Sequence, residues 1–163
     1  MHTQYRDVLI RDWQPGDRTP AFEVICSVLA EYNLGCEPDG TDWDAFHVEE
    51  AYWQTGGEFW VVEHRGQVVG TAGYYPVERG EKAVEIRKMY LHPSVRGHGL
   101  GRYLLQALEE AIATRHFRQI WIETASVLKE ATKLYESSGY QPSSGVETAR
   151  CDRIYVKILG NRE

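Results

Sequence analysis

The spacing of apolar positions changes several times along this chain, and each change marks an element. Val8-Leu9-Ile10-Arg11 reads as a short opening strand, closed by the turn-forming run Gln14-Pro15-Gly16-Asp17. From Pro20 the spacing becomes helical, with Phe22, Ile25, Val28, Leu29 and Tyr32 recurring at three- and four-residue intervals. Gly35 stands where a C-cap belongs, and residues 35–40 read as a loop. Thr41 or Asp42 is then placed to cap a second helix through about Trp53, ended by Thr55-Gly56-Gly57.

Three strands follow: Phe59 to Glu63, Gln67 to Tyr75 and Ala83 to Leu91, the first two joined as a hairpin through Arg65-Gly66. A helix from Gly99 to about Arg115 carries Leu100, Leu104, Leu108 and Ile112 on one stripe. A strand at Gln119 to Thr124, a helix at Lys129 to Ser138 and an alternating strand at Asp152 to Leu159 complete the pattern. Antiparallel strands come first and a βαβ crossover comes late, so the predicted class is mixed α/β (α+β). With 163 residues, no repeat and no linker-like stretch, the expectation is one domain spanning 1–163.

Composition narrows the function classes more than the fold. Apolar residues make up 42 % and charged residues 26 %, a globular mix rather than a disordered one. No apolar run is long enough to span a membrane, and the N-terminal stretch lacks the apolar core of a signal peptide, so a cytoplasmic location is expected. A net charge of −6 argues against a nucleic-acid partner. Cys26, Cys36 and Cys151 are odd in number and lack CxxC spacing, which argues against a disulfide framework or zinc site and predicts buried or partly exposed thiols. The histidines form no metal-ligand pair, and no metal is expected.

The most informative stretch is Met89-Tyr90-Leu91-His92-Pro93-Ser94-Val95-Arg96-Gly97-His98-Gly99-Leu100-Gly101-Arg102, a strand, a Pro-marked turn, a glycine-rich loop and an amphipathic helix. A helix N-terminus presents unpaired N–H groups and a partial positive charge, which suits an anion. Gly97, Gly99 and Gly101 let the backbone approach a phosphate, and Arg96 and Arg102 bracket the loop. A P-loop is ruled out because GxxxxGK[ST] does not occur. A Rossmann fingerprint, with Glu123 as its later carboxylate, would need glycine where Arg102 stands.

Arg96-Gly97-His98-Gly99-Leu100-Gly101 resembles the Arg/Gln-x-x-Gly-x-Gly/Ala signature of the GNAT N-acetyltransferase superfamily. Ala131-Thr132-Lys133-Leu134-Tyr135-Glu136-Ser137-Ser138-Gly139-Tyr140 is similar to that family's A-x-x-L-Y-E-x-x-G-[FY] segment. The resemblance implies a central, mostly antiparallel sheet of six to seven strands, flanked by about four helices and splayed at an acetyl-CoA site. It implies that Arg96, Gly97, His98, Gly99, Leu100, Gly101 and Arg102 hold the CoA pyrophosphate, and that the main chain of Met89, Tyr90 and Leu91 pairs with the pantetheine arm. Tyr135 would protonate the departing thiolate. Glu85 would serve as base toward the amine, or else pair with Arg87, two residues on and on the same face. Leu128 stands where the family often has asparagine.

The implied activity is acetyl-CoA-dependent N-acetylation of a small-molecule amine, an amino acid or related metabolite, by direct transfer. Protein, peptide or polyamine acceptors, or a non-catalytic acyl-CoA sensor, are the alternatives. Tyr74 and Arg87 are the expected acceptor-binding residues, with Arg87 or Lys88 meeting a carboxylate and one of the two pointing away from the other. The family's habit also makes a homodimer possible.

Overall fold

The computed structural model describes residues 1–160; the last residues of the expected domain, 161–163, lie outside the described residues. Among the described residues the strands are β1 (His2–Tyr5), β2 (Val8–Asp12), β3 (Glu58–His64), β4 (Gln67–Val77), β5 (Ala83–Leu91), β6 (Gln119–Thr124), β7 (Gln141–Pro142) and β8 (Arg153–Ile158). The helices are α1 (Arg18–Glu31), α2 (Trp43–Phe46), α3 (Leu100–Thr114) and α4 (Lys129–Ser137). The strands form one sheet in the order β1-β2-β3-β4-β5-β6-β8-β7, antiparallel throughout except for the β5–β6 pair. A crossover through α3 joins those two strands, as a parallel pair requires.

Eight strands stand where six or seven were expected. The additional ones are short edges. Polar His2–Tyr5 folds back on β2 through Arg6, whose φ is +53°, and Gln141–Pro142 pairs with β8. Neither carries an apolar alternation for sequence reading to find. The β3–β4 turn at Arg65 and Gly66 has positive φ at both residues, 51° and 78°, which matches the twist of a tight hairpin.

Two cores sandwich the sheet. On one face Leu104, Leu105, Leu108 and Ile112 of α3 pack against Val84, Ile86, Ile120 and Ile122. On the other, Ala21, Ile25 and Leu29 of α1 pack with Trp13, Tyr52, Phe59 and Val61. Among the described residues, no helix is long and apolar enough to cross a membrane.

Three expectations need correction. The second helix is interrupted: α2 ends at Phe46, His47 leaves helical geometry to stack on Trp43 (4.3 Å between rings), and Glu49–Trp53 winds as a π turn. Gly35 is not the cap of α1. The helix closes at Tyr32, left-handed Asn33 (φ 58°) reverses the chain, and Leu34 N–H bonds back to Leu29 C=O. That reversal carries Cys36 back to Cys26, and the two form a disulfide with Cα atoms 5.2 Å apart. An odd cysteine count concealed the pair, since Cys151 remains as a free thiol.

Candidate active site

The parallel pair that anchors the sheet is short. β5 matches β6 only from Ala83–Gln119 to Ile86–Ile122. Beyond it β5 stays with β4 as far as Leu91 opposite Gly70, and β6 stays with β8 as far as Thr124 opposite Arg153. The sheet therefore splits between them. A cavity of about 550 Å³ fills the wedge, lined by β5 from Glu85 to Leu91, the glycine loop, the end of β6 and α4.

A bulge tunes the strand beside this wedge. The β4–β5 register shifts between Thr71 and Gly73, and Lys88 takes a left-handed φ of 53°. Before the bulge Val84 and Ile86 face the α3 core; after it Met89 and Leu91 do so while Tyr90 packs on the α1 side. The extra residue puts Arg87 and Lys88 on the same side, where both meet Asp44 and the Thr41 carbonyl. The expectation that one of them points away from the other fails because strict alternation does not survive a bulge.

The glycine loop is shaped for close approach. Gly97 and Gly99 have φ of 85° and 79°, and a Cβ on Gly97 would meet nothing within 4 Å. Gly99 caps α3, and the ladder starts with Tyr103 N–H on Gly99 C=O, so the N–H groups of Leu100, Gly101 and Arg102 precede it. Arg96 lines the cavity but also braces the loop, donating to Leu91 C=O at 2.8 Å and pairing with Glu31 at 2.8 Å. Arg102 lines the same space and donates to Ser137 Oγ. These features fit an extended anionic ligand such as acetyl-CoA. His98 departs from the group: it lines a separate cavity of about 270 Å³ beside β1, its carbonyl held by Tyr5 Oη.

Tyr135, on α4, and Glu85, on β5, line the same cavity. Burial, with Tyr90 and Cys151 nearby, pushes the Tyr135 phenol well above its ordinary value, so it keeps its proton at neutral pH. Burial also raises the Glu85 carboxyl, opposed chiefly by Arg87. Cys151 lines the cavity as well, and burial, with Glu123 adding, holds its thiol up at about 11. Leu128 lines the wall where the family often places asparagine.

Tyr74 is not brought to the cavity. It is fully buried in the sheet core, its hydroxyl donating to Glu58 and its ring against Phe117. Its position on β4 suggested the pocket, but the alternation turns it to the opposite face. Conversely, three carboxylates bear on the site that sequence reasoning did not single out, although Asp42 and Asp44 fall in the 33–53 stretch that the resemblance places at the acceptor pocket. Asp42 and Asp44 hold Lys88 at 3.3 and 3.1 Å. Glu123, only 4 % exposed at its side chain, accepts the N–H groups of Glu147 and Thr148 and an Arg79 donor. An aspartate before a helix looks like a cap, so nothing in the sequence distinguished Asp42.

Comparison with known proteins agrees with this geometry. The acetyltransferase (GNAT) family model matches residues 22–140. The uncharacterized N-acetyltransferase YjgM of Escherichia coli K12 is 38 % identical over 129 residues, covering 77 % of each chain. The N-acetylaspartate synthetase of Xenopus tropicalis is 33 % identical over 105 residues, 64 % of this chain and 38 % of that one. The chain thus spans well under half of that vertebrate relative. A crystal structure of a GNAT-family acetyltransferase from Staphylococcus aureus Mu50 superposes with a TM-score of 0.86 at 20 % identity, covering 94 % of this chain and 99 % of that one. The Salmonella typhimurium protein yncA, solved with acetyl-CoA, superposes with a TM-score of 0.74 at 22 % identity, covering 96 % of each chain. At these identities the two structures show the fold, while the sequence matches show descent: the chain belongs to the acetyltransferase (GNAT) family.

Proposed function

We propose that this enzyme transfers the acetyl group of acetyl-CoA directly to the amine of a small carboxylate-bearing molecule, an amino acid or close relative, with both substrates bound in the wedge. The observation that carries the reading is a single cavity lined by the glycine loop, Glu85, Arg87 and Tyr135. The reading takes the chain as one domain acting in the cytoplasm.

Acetyl-CoA, as acyl donor, supplies a thioester open to attack by a neutral amine. Gly97, Gly99 and the first amides of α3 hold its pyrophosphate, aided by Arg102. The β6-facing edge of Met89 to Leu91, left without a strand partner past Ile86, pairs with the pantetheine arm and polarises the carbonyl. Holding both reactants in one cleft removes much of the barrier without a covalent enzyme intermediate. Glu85, when ionised, accepts the ammonium proton directly or through water, and burial, by raising its pKa, makes it a stronger base than an ordinary carboxylate. Tyr135, kept protonated by burial, donates to the thiolate as the C–S bond breaks. The N–H proton that the attacking nitrogen loses as the amide forms restores the phenol.

Arg87 supports the acceptor class. Its nearest carboxylate oxygens lie 3.6 and 3.8 Å away, whereas Arg11 and Arg150 hold theirs at 2.8 Å. The guanidinium also donates to Tyr75 Oη at 3.0 Å and to Thr41 C=O at 3.4 Å, but with no carboxylate at close range it keeps ionic capacity for that of a substrate. The relative named N-acetylaspartate synthetase points the same way.

The test is CoA release from acetyl-CoA with amino acids, polyamines and basic peptides as acceptors, alongside Arg96→Glu and Tyr135→Phe. Release that depends on amino acids and collapses in both variants is the expected result. A preference for polyamines or peptides replaces the acceptor class, and acetyl-CoA binding without turnover on any amine overturns the transfer reading.

A further inference from the structure

Two loops meet beside Arg87 and Lys88 in the cavity wall, the first reaching the cavity itself only through Leu34. The first, residues 33–42, follows α1. The second, residues 143–152, joins β7 to β8 and puts Thr148, Arg150 and Cys151 into the cavity wall. They meet on one carboxylate. Asp42 is fully buried; it accepts two hydrogen bonds from Arg150, both at 2.8 Å, and the Glu37 N–H at 2.8 Å. The Lys88 ammonium, on the bulge, lies 3.3 Å from it. Arg150 also donates to Gly35 C=O at 3.1 Å.

Each loop is tied at a second point. The Cys26–Cys36 disulfide fastens the first to α1, and Glu123 fastens the second to β6 through the Glu147 and Thr148 amides. Thr41, beside Asp42, turns its carbonyl to both Arg87 (3.4 Å) and Lys88 (3.3 Å). Where Asp42 sits therefore also sets what Arg87 can reach. Burial alone would raise the Asp42 carboxyl, but Arg150 and Lys88 outweigh it and hold it below its usual range, so it is ionised at neutral pH.

We propose that Asp42 is a positioning residue: carried on a disulfide-tied loop, it clasps Arg150 and Lys88, shuts the acceptor end of the cavity and orients Arg87 for the substrate. The assignment of that end to the acceptor rests on the function proposed above; the clasp itself does not. Removing one partner from a buried, multiply hydrogen-bonded charge leaves the others uncompensated, which destabilises the junction of the two loops.

Cys151 reports on the clasp without any acceptor, since it is the one free thiol both in the disulfide-bonded protein and in a Cys26→Ser/Cys36→Ser double variant. Its alkylation by iodoacetamide is expected to quicken roughly tenfold or more in Asp42→Asn and in the double variant, as a lifted wall admits the reagent. With an amino acid that the wild type acetylates, both variants are expected to raise the acceptor KM by a similar factor while the acetyl-CoA KM stays within about twofold. Arg150→Lys is expected to retain acceptor affinity that Arg150→Ala loses, and this pair also serves if Asp42→Asn folds poorly. Wild-type alkylation rates in both Asp42→Asn and the double variant overturn the proposal, as does an acetyl-CoA KM that rises in step with the acceptor KM. Faster alkylation in a protein that acetylates no amine upholds the clasp and removes only the acceptor reading.

Discussion

Glu85 and Arg87 face each other along one side of β5, with 3.8 Å between carboxylate oxygen and guanidinium nitrogen. At that distance the arginine limits the rise of the Glu85 pKa without cancelling the effect of burial. The structure thus shows the ion pair, and the proposed base role is compatible with it. Only the ionised carboxylate accepts a proton, so activity is lost as pH falls through the folded-state pKa, which lies above the ordinary 4.5. The acceptor kcat/KM is expected to show an acidic limb in that range. In Glu85→Gln the limb should vanish and the rate fall by roughly 10² to 10⁴. An unchanged limb in the variant assigns the titration elsewhere.

Tyr135 packs in the core as well as supplying a proton in the proposed mechanism. Its ring lies 6.0 Å from Tyr140 and 6.1 Å from Tyr155, so truncation to alanine would confuse the two roles. Tyr135→Phe keeps the ring and removes the hydroxyl. It is expected to lower kcat by about two orders of magnitude or more with little change in the acetyl-CoA KM and an unfolding temperature close to wild type. Acyl donors with more acidic leaving thiols should recover much of the loss, because they depart without protonation. A donor-independent defect would place Tyr135 outside the proton transfer.

The acceptor carboxylate is tested at Arg87. Arg87→Ala is expected to raise the acceptor KM by tenfold or more for amino acids and far less for the matching amines lacking the carboxylate. Arg87→Lys keeps the charge but not the forked donor geometry and should fall between. Equal effects on acids and amines would make Arg87 a support for Glu85 and Asp44 instead.

Period and spacing revealed what local chemistry dictates. The 3.6-residue stripe of α3, the hairpin at Arg65-Gly66 and the glycine loop are each specified by residues adjacent in sequence. What stayed hidden depends on tertiary context. Within β5 the bulge at Lys88 has no glycine or proline to announce it, and it reverses the facing of every later residue of that strand. The Cys26–Cys36 bond depends on a left-handed Asn33 turning the chain. Asp42 gains its place through Arg150, more than a hundred residues away along the chain. The family resemblance places Tyr74 at the pocket, but its facing, which the register settles, puts it in the core.

The glycine loop makes the sharpest paired prediction. Gly97 and Gly99 both sit at positive φ, where an L-residue costs about 1–2 kcal/mol, so alanine at either site strains the backbone. Only at Gly99 does space run out: the added Cβ would lie 2.9 Å from Tyr5 Oη, which donates to His98 C=O. Gly99→Ala should therefore destabilise more than Gly97→Ala, each kcal/mol lowering the unfolding temperature by about 2–4 °C. Adding Tyr5→Phe to Gly99→Ala removes the clashing oxygen and should recover the steric part of the difference, leaving the common backbone cost and the loss of the Tyr5–His98 hydrogen bond, about 1 kcal/mol. Both alanine variants are expected to raise the acetyl-CoA KM while the acceptor KM holds, because in the proposed arrangement the loop holds the nucleotide end of acetyl-CoA. If Gly97→Ala binds acetyl-CoA as the wild type does, the positive φ there serves the turn alone, and the anion contacts shift to the amides of α3.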